Sequence, residues 1–213
     1  MNVLVVGSTA LDSIKTPTRE NPRLLGGSAS HAAVAASFFA PVQLVGVVGD
    51  DFPPRYLKLY RKFKLDLDGL RRLPGKTFHW SGEYEVNMNN RRTLKTELGV
   101  FENFRPDLPE SYRRTPFVLL GNIAPNLQHH VLDQLHRPRF VIADTMDLWL
   151  NIAKPELLRL LRRIDALVLN DSEARLLTGL DNIIAALTAI HRLGPPYVIV
   201  KKGEHGSILS GPK

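Results

Sequence analysis

With 213 residues, 44% hydrophobic and 23% charged, the chain has the length and balance of one α/β domain, or a domain with a small lobe, and disorder, collagen-like repeats and low complexity are excluded. It contains no cysteine, which removes a disulfide scaffold, thiolate-ligated metals and a cysteine nucleophile, and suits a cytoplasmic location. The net charge of +7 is concentrated, with eight Lys/Arg against two Asp between Pro54 and Lys76.

In chain order, the segment from Met1 to Gly7 has no basic leader and reads as a first strand, Val3 to Val6. Further short apolar, β-branched runs lie at Gln43 to Val48, Phe117 to Leu120, Phe140 to Ala143, Ala166 to Leu169 and Tyr197 to Val200. An Ala-rich helix is expected from Ser30 to Phe39. A basic amphipathic helix follows from Arg55 to Lys64, within the basic Pro54 to Lys76 stretch, with Tyr56, Leu57, Tyr60 and Phe63 inward and a solvated basic face. Helical patterns also cover Asn126 to Leu135, Pro155 to Ile164, Ser172 to Thr178 (closed by Gly179) and Asn182 to Leu193. This strand–helix alternation predicts a doubly wound, mostly parallel sheet covered by helices on both faces. No run approaches the roughly 20 apolar residues of a membrane span, and neither a membrane nor nucleic acid is expected as a partner.

Residues 77–100 break the alternation. Phe78, Trp80, Gly82, Tyr84 and Val86 alternate with His79, Ser81, Glu83 and Glu85. The Asn87–Asn90 stretch supplies turn residues, and Leu94, Thr96 and Leu98 alternate on the return. A β-hairpin outside the parallel sheet is expected, forming a small β-lid. Its aromatic face should cover a ligand cleft or pair with a second copy of the chain.

Four segments carry candidate chemistry. Gly26-Gly27-Ser28-Ala29-Ser30-His31 opens the Ala-rich helix, where two glycines allow close approach to a ligand at a helix N-terminus. Val45 to Phe52 ends in a Gly-Asp-Asp turn read as mainly structural. Asn170-Asp171-Ser172-Glu173 stands at a strand end, where Asn170 and Glu173 suit a capping box and the carboxylate suits hydrated Mg²⁺ near phosphates. Lys201-Lys202-Gly203-Glu204-His205-Gly206 is a glycine turn whose amides can meet phosphates.

Together these segments resemble the ribokinase-like (PfkB) carbohydrate kinases. The resemblance spans essentially the whole chain, read as one ribokinase-like domain. It implies that Asp12 binds sugar hydroxyls and that Gly26-Gly27 is the family's double-glycine hinge, with Ser28 and His31 beside the substrate. Residues 77–100 correspond to part of its lid. Asn170 and Glu173 match its Asn-x-x-Glu motif, which implies Glu173 on the Mg²⁺ side. Lys201, Gly203 and Gly206 fall in its nucleotide-binding turn. His31 stands where many members carry asparagine. The family's Asp-Thr-x-Gly-Ala-Gly-Asp signature has no counterpart, because the one Asp-Thr here, Asp144-Thr145, is followed by Met146-Asp147. The resemblance therefore implies a catalytic base beyond Lys213, a chain incomplete at its C-terminus, an under-paired last strand at Ser207 to Leu209, and little turnover as it stands. The expected activity is phosphorylation of a sugar or sugar-like hydroxyl with ATP and Mg²⁺. The alternatives are an adenosine-like nucleoside kinase and a non-catalytic sugar- or nucleotide-binding remnant.

Overall fold

A computed structural model describes residues 1–86, 88 and 91–212. The predicted Asn87–Asn90 turn therefore falls, apart from Met88, outside the described residues.

The expected parallel sheet is present. Strands β1 (Val3–Val6), β4 (Val42–Val48), β5 (Asp66–Arg72), β8 (Phe117–Leu120), β9 (Phe140–Asp144), β10 (Ala166–Asn170), β11 (Tyr197–Lys201) and β12 (Ser207–Ser210) form one sheet in the order β12-β11-β10-β9-β8-β1-β4-β5. All neighbours pair in parallel except β12, which returns antiparallel on β11. The chain winds outward from β1 through β4 and β5, then restarts on the other side with β8. The topological switch therefore lies between β1 and β8, where doubly wound sheets place their ligands.

Alternate residues of the central strands enter opposite cores, which explains their continuous apolar runs. Leu4, Val6, Val45 and Val47 join one core; Val5, Leu44 and Val48 join the other. The first core is closed by α3 (Pro125–Gln134), α5 (Lys154–Leu161), α6 (Asp171–Thr178) and α7 (Ile183–Leu193), through Val131, Leu157, Leu177 and Ile190 among others. The second is closed by α1 (Ser28–Ala36) and α2 (Pro54–Lys62), through Ala29, Ala33 and Tyr60.

Several expectations need correction. The Ala-rich helix begins at Ser28 and ends at Ala36, so Phe38 and Phe39 lie past its end and are exposed. The basic helix expected from Arg55 to Lys64 is α2, Pro54–Lys62, and the amphipathic pattern does not continue as helix through the rest of Pro54–Lys76. After Lys64, which has a positive φ, the chain turns into β5. A short helix, α4 (Asp147–Ile152), lies where none was predicted.

The lid is larger than the predicted hairpin. Strands β6 (His79–Tyr84) and β7 (Arg91–Glu97) do pair antiparallel, but they continue a four-stranded sheet, β3-β2-β6-β7. This sheet takes in β2 (Ala10–Lys15) and β3 (Glu20–Gly26) from the start of the chain. β2 and β6 pair in parallel, Asp12 opposite Trp80. The lid is tied to the body by stacked rings, Phe78 on Phe101 at 5.3 Å and Phe101 on Phe104 at 5.2 Å. It is also tied by the Gly-Asp-Asp turn after β4. Asp51 accepts from the backbone N–H and the hydroxyl of Thr77 and pairs with Arg23 at 3.0 Å. Burial opposes ionisation of Asp51, but those hydrogen bonds outweigh it and hold its pKa below the ordinary value. The turn's hydrogen bonds fix the base of the lid.

Candidate active site

The site lies beneath the lid, at the carboxyl ends of the central strands. Gly27 caps α1 at φ 92°, a conformation that favours glycine, and a Cβ there would collide with the carbonyl of Ser8. This close approach puts the first turn of α1 against the loop after β1. The Ser28 N–H donates to Ser8 Oγ (3.0 Å), and the Ala29 N–H donates to the Ser8 carbonyl (3.0 Å). Gly26 serves the neighbouring side chain, because the space its Cβ would fill is occupied by the Asp12 carboxyl group.

A cavity of about 320 Å³ results. The body side contributes Ser8, Gly27, Ser28, His31, Asn122 and Met146; the lid contributes Ala10, Asp12, Phe78, Trp80, Tyr84 and Arg91. The cavity thus joins one carboxylate, several hydroxyl and amide groups, and three aromatic rings. Burial raises the Asp12 pKa above the ordinary value, and the nearby His31 and His79 pull it partly back. His31 Nδ1 lies 3.0 Å from the Gly27 carbonyl, which fixes its ring at the rim.

Tyr84 and Arg91, paired across β6 and β7, also line a second cavity of about 270 Å³, together with Asp147, Asn170, Ser172, Glu173 and Leu176. Here the capping box forms in full. Asn170 Oδ1 accepts from the Glu173 N–H (2.7 Å), and a Glu173 carboxylate oxygen accepts from the Asn170 N–H (2.7 Å). Glu173 is buried, and its pKa is raised by that burial. The Asn170 N–H and Lys201 oppose the rise, while Asp144 and Asp147 add to it. A third, smaller cavity of about 150 Å³ is lined by Ser28, Asp144 and Lys201 among others. Lys201 Nζ pairs with Asp144 at 3.2 Å. Burial raises the Asp144 pKa, against the pull of Lys201.

The structure therefore brings Asp12, Gly26, Gly27, Ser28 and His31 together, and separately Asn170 with Glu173. Lys201 stands beside Asp144 at the strand ends. Gly203 and Gly206 have positive φ, 58° and 81°, in the turn from β11 to β12, and line none of these three cavities. No group of three or more His, Cys, Asp or Glu among the described residues can cage a metal ion. The donors instead suit Mg²⁺ that keeps most of its waters and is held by phosphates with one or two carboxylates.

Sequence reasoning missed Ser8, Asn122, Met146 and Arg91 as lining residues. Ser8, Asn122 and Met146 follow β1, β8 and β9, so the strand-end rule already applied to Asn170 would have found them. Trp149 fixes Asn122, its Nε1–H donating to Asn122 Oδ1 at 2.8 Å.

A switch-point cleft with a separate β-sheet standing over it, and a carboxylate and aromatic rings lining one cavity, match the ribokinase-like class of kinases. The chain belongs to the pfkB family of carbohydrate kinases, whose family model matches residues 2–213. It is 28% identical to a cytidine kinase of Thermococcus kodakarensis over 214 residues, 98% of this chain and 76% of the relative. Burkholderia thailandensis nucleoside kinase in complex with ADP-inosine shares the fold with a TM-score of 0.79 at 18% identity, over 99% of this chain and 72% of that one. Arabidopsis thaliana ribokinase complexed with ribose and ATP does so with a TM-score of 0.72 at 23% identity, over 98% and 74%. No helix among the described residues is long and apolar enough to cross a membrane.

Proposed function

We propose that the chain is a nucleoside kinase unit: it binds a nucleoside in the Asp12 cavity and Mg²⁺-ATP on the Asn170/Glu173 side, for transfer of a phosphoryl group to a sugar hydroxyl. The observation that carries this reading is the pairing of Asp12 with Phe78, Trp80 and Tyr84 around one cavity. A carboxylate accepts hydrogen bonds from ribose hydroxyls, whereas flat apolar rings suit the face of a nucleobase. Similarity to a cytidine kinase and to nucleoside kinases supports the same choice.

On this reading Asp12 binds and orients the acceptor, and His31 adds a polar contact at the rim. The aromatic rings exclude water from the acceptor. Glu173, held by its cap, would hold hydrated Mg²⁺ beside the phosphates, and the Lys201 cation adds positive potential at the strand ends. ATP supplies the phosphoryl group when bound, and positioning with electrostatic stabilisation accounts for most of the catalysis in such transfers. On this reading residues 1–213 carry the acceptor-binding and nucleotide-side parts of one domain, and the exposed edge strand β7 suits pairing with a second copy through the lid.

A free sugar is the second reading, favoured by the hydroxyl-binding set of Asp12, Ser28 and His31, which needs no base. Calorimetric titration of the chain with cytidine, adenosine, inosine and ribose separates the two. At least one nucleoside is expected to bind about tenfold or more tighter than ribose, the contribution of one stacked base. Equal or tighter binding of ribose would return the assignment to a sugar kinase.

A further inference from the structure

Arg91 occupies a position that the nucleoside reading alone does not require. Among the described residues, it and Tyr84 are the two side chains common to the acceptor cavity and the nucleotide-side cavity. Of the described residues it is also the only cationic side chain lining the second cavity, where Asp147 and Glu173 contribute carboxylates. Its neighbours on the lid are spent on one another: Arg92 pairs with Glu83 at 2.8 Å, Lys15 with the same carboxylate at 2.9 Å, and Lys95 with Glu97 at 3.0 Å. Arg91 has no carboxylate within ion-pair distance among the described residues. Its guanidinium lies over the Trp80 ring, 5.7 Å from the centroid.

From this placement we infer that Arg91 is a phosphate-binding residue of the lid, taking the phosphate chain of the nucleotide where the two cavities meet. The inference rests on the kinase reading above. A triphosphate entering a cavity with two carboxylates needs positive charge beyond its metal ion, and the five N–H donors of arginine match phosphate oxygens in pairs. The Trp80 ring sets where the guanidinium waits. Trp80 stands opposite Asp12 in the sheet register, so the acceptor carboxylate and the phosphate-binding cation are mounted on one four-stranded sheet. Arg91 is exposed, so its replacement removes no buried packing.

Titration calorimetry on the full chain and on its Arg91→Ala and Arg91→Lys variants, with inorganic tripolyphosphate, ATP and the tightest nucleoside as separate probes, tests the inference. Loss of a bidentate charged contact should weaken tripolyphosphate and ATP about tenfold or more in Arg91→Ala. Arg91→Lys should recover only part of that, because a point charge lacks the fork, and should hold nucleoside affinity within about twofold because the cation over Trp80 is kept. Unchanged tripolyphosphate affinity in both variants would overturn the inference and leave the nucleoside reading standing, as would a uniform fall for all three probes. Arg91-dependent tripolyphosphate binding in a chain that takes neither nucleoside nor ribose would support Arg91 while overturning the acceptor assignment. A parent chain that binds none of the probes would overturn both.

Discussion

Gly26 and Asp12 share one volume: on adjacent lid strands, the space that a Cβ at Gly26 would fill holds the Asp12 carboxyl group. The glycine before the α1 cap thus keeps a place for the acceptor-binding carboxylate. Gly26→Ala should displace Asp12 or the strand carrying it. Acceptor affinity is expected to fall about tenfold or more, the scale of one charge-assisted hydrogen bond. Stability should fall by about 1–3 kcal/mol from overpacking. Calorimetry and thermal melting measure the two effects separately, and unaltered binding in a folded variant would show that the carboxylate position is not critical.

Acidity should act on binding and stability with opposite signs. Burial lifts the pKa of Asp12 above the ordinary value, with His31 and His79 opposing. Acceptor binding uses the ionised form, so affinity should decline on acidification from a higher pH than an ordinary aspartate would give. Because the folded state holds this proton more tightly than the unfolded chain, ionised Asp12 costs stability above its folded pKa, and that cost disappears as pH falls toward the unfolded value. Asp12→Asn should therefore melt higher than the parent at neutral pH, with the gap closing in acid, and bind the acceptor weakly at every pH. Asp144 and Glu173 are shifted in the same direction but are common to both proteins and cancel in the comparison. A melting gap that does not vary with pH would contradict the assignment.

Trp80→Ala separates nucleoside from sugar recognition. Loss of one base-stacking surface is worth about 1–3 kcal/mol, so nucleoside affinity should fall about tenfold while ribose affinity holds. Parallel losses for both ligands would mean that the ring shapes the cavity rather than stacking a base.

The two members of the capping box should part company on mutation. Asn170→Ala removes the side-chain acceptor at the start of α6 and should cost about 1 kcal/mol of stability. Glu173→Gln keeps an oxygen that accepts from the Asn170 N–H and removes a charge that burial disfavours, so it should melt no lower than the parent at neutral pH. Its ATP affinity should no longer rise on adding Mg²⁺. A Glu173→Gln protein with the full Mg²⁺ effect would leave Glu173 a structural cap.

Much of this fold was legible because the central strands are buried on both faces: runs such as Val42–Val48 and Ala166–Asn170 are continuous and end at turn residues. The strands that escaped are β2, β3 and β5: β3 and β5 expose Asp, Glu and Arg residues to solvent, and β2 breaks its apolar run with Asp12, Ser13 and Lys15. Their pairing partners, more than their own composition, make them strands. Pro22 within β3 is tolerated because β3 is an edge. The site divides in the same way. Asp12, Gly26 and His31 sit in local patterns that a reader can recognise. Arg91 lies in a polar stretch with no pattern, and only the lid register carries it over Trp80.

The parallel pairing of β2 with β6 has a kinetic consequence. Ser13 and His79, bonded at 2.8 Å across that pair, are 66 residues apart in sequence. The intervening chain holds α1, β4, α2 and β5, so the lid cannot assemble as an independent hairpin. Its loop-closure entropy is offset only once the chain through β4 and β5 has come back beside β2. The lid is thus a late-folding element, and its amides should open to exchange before those of the central strands. The acceptor carboxylate and the phosphate-binding arginine would then reach their places only in a chain whose main sheet is already built.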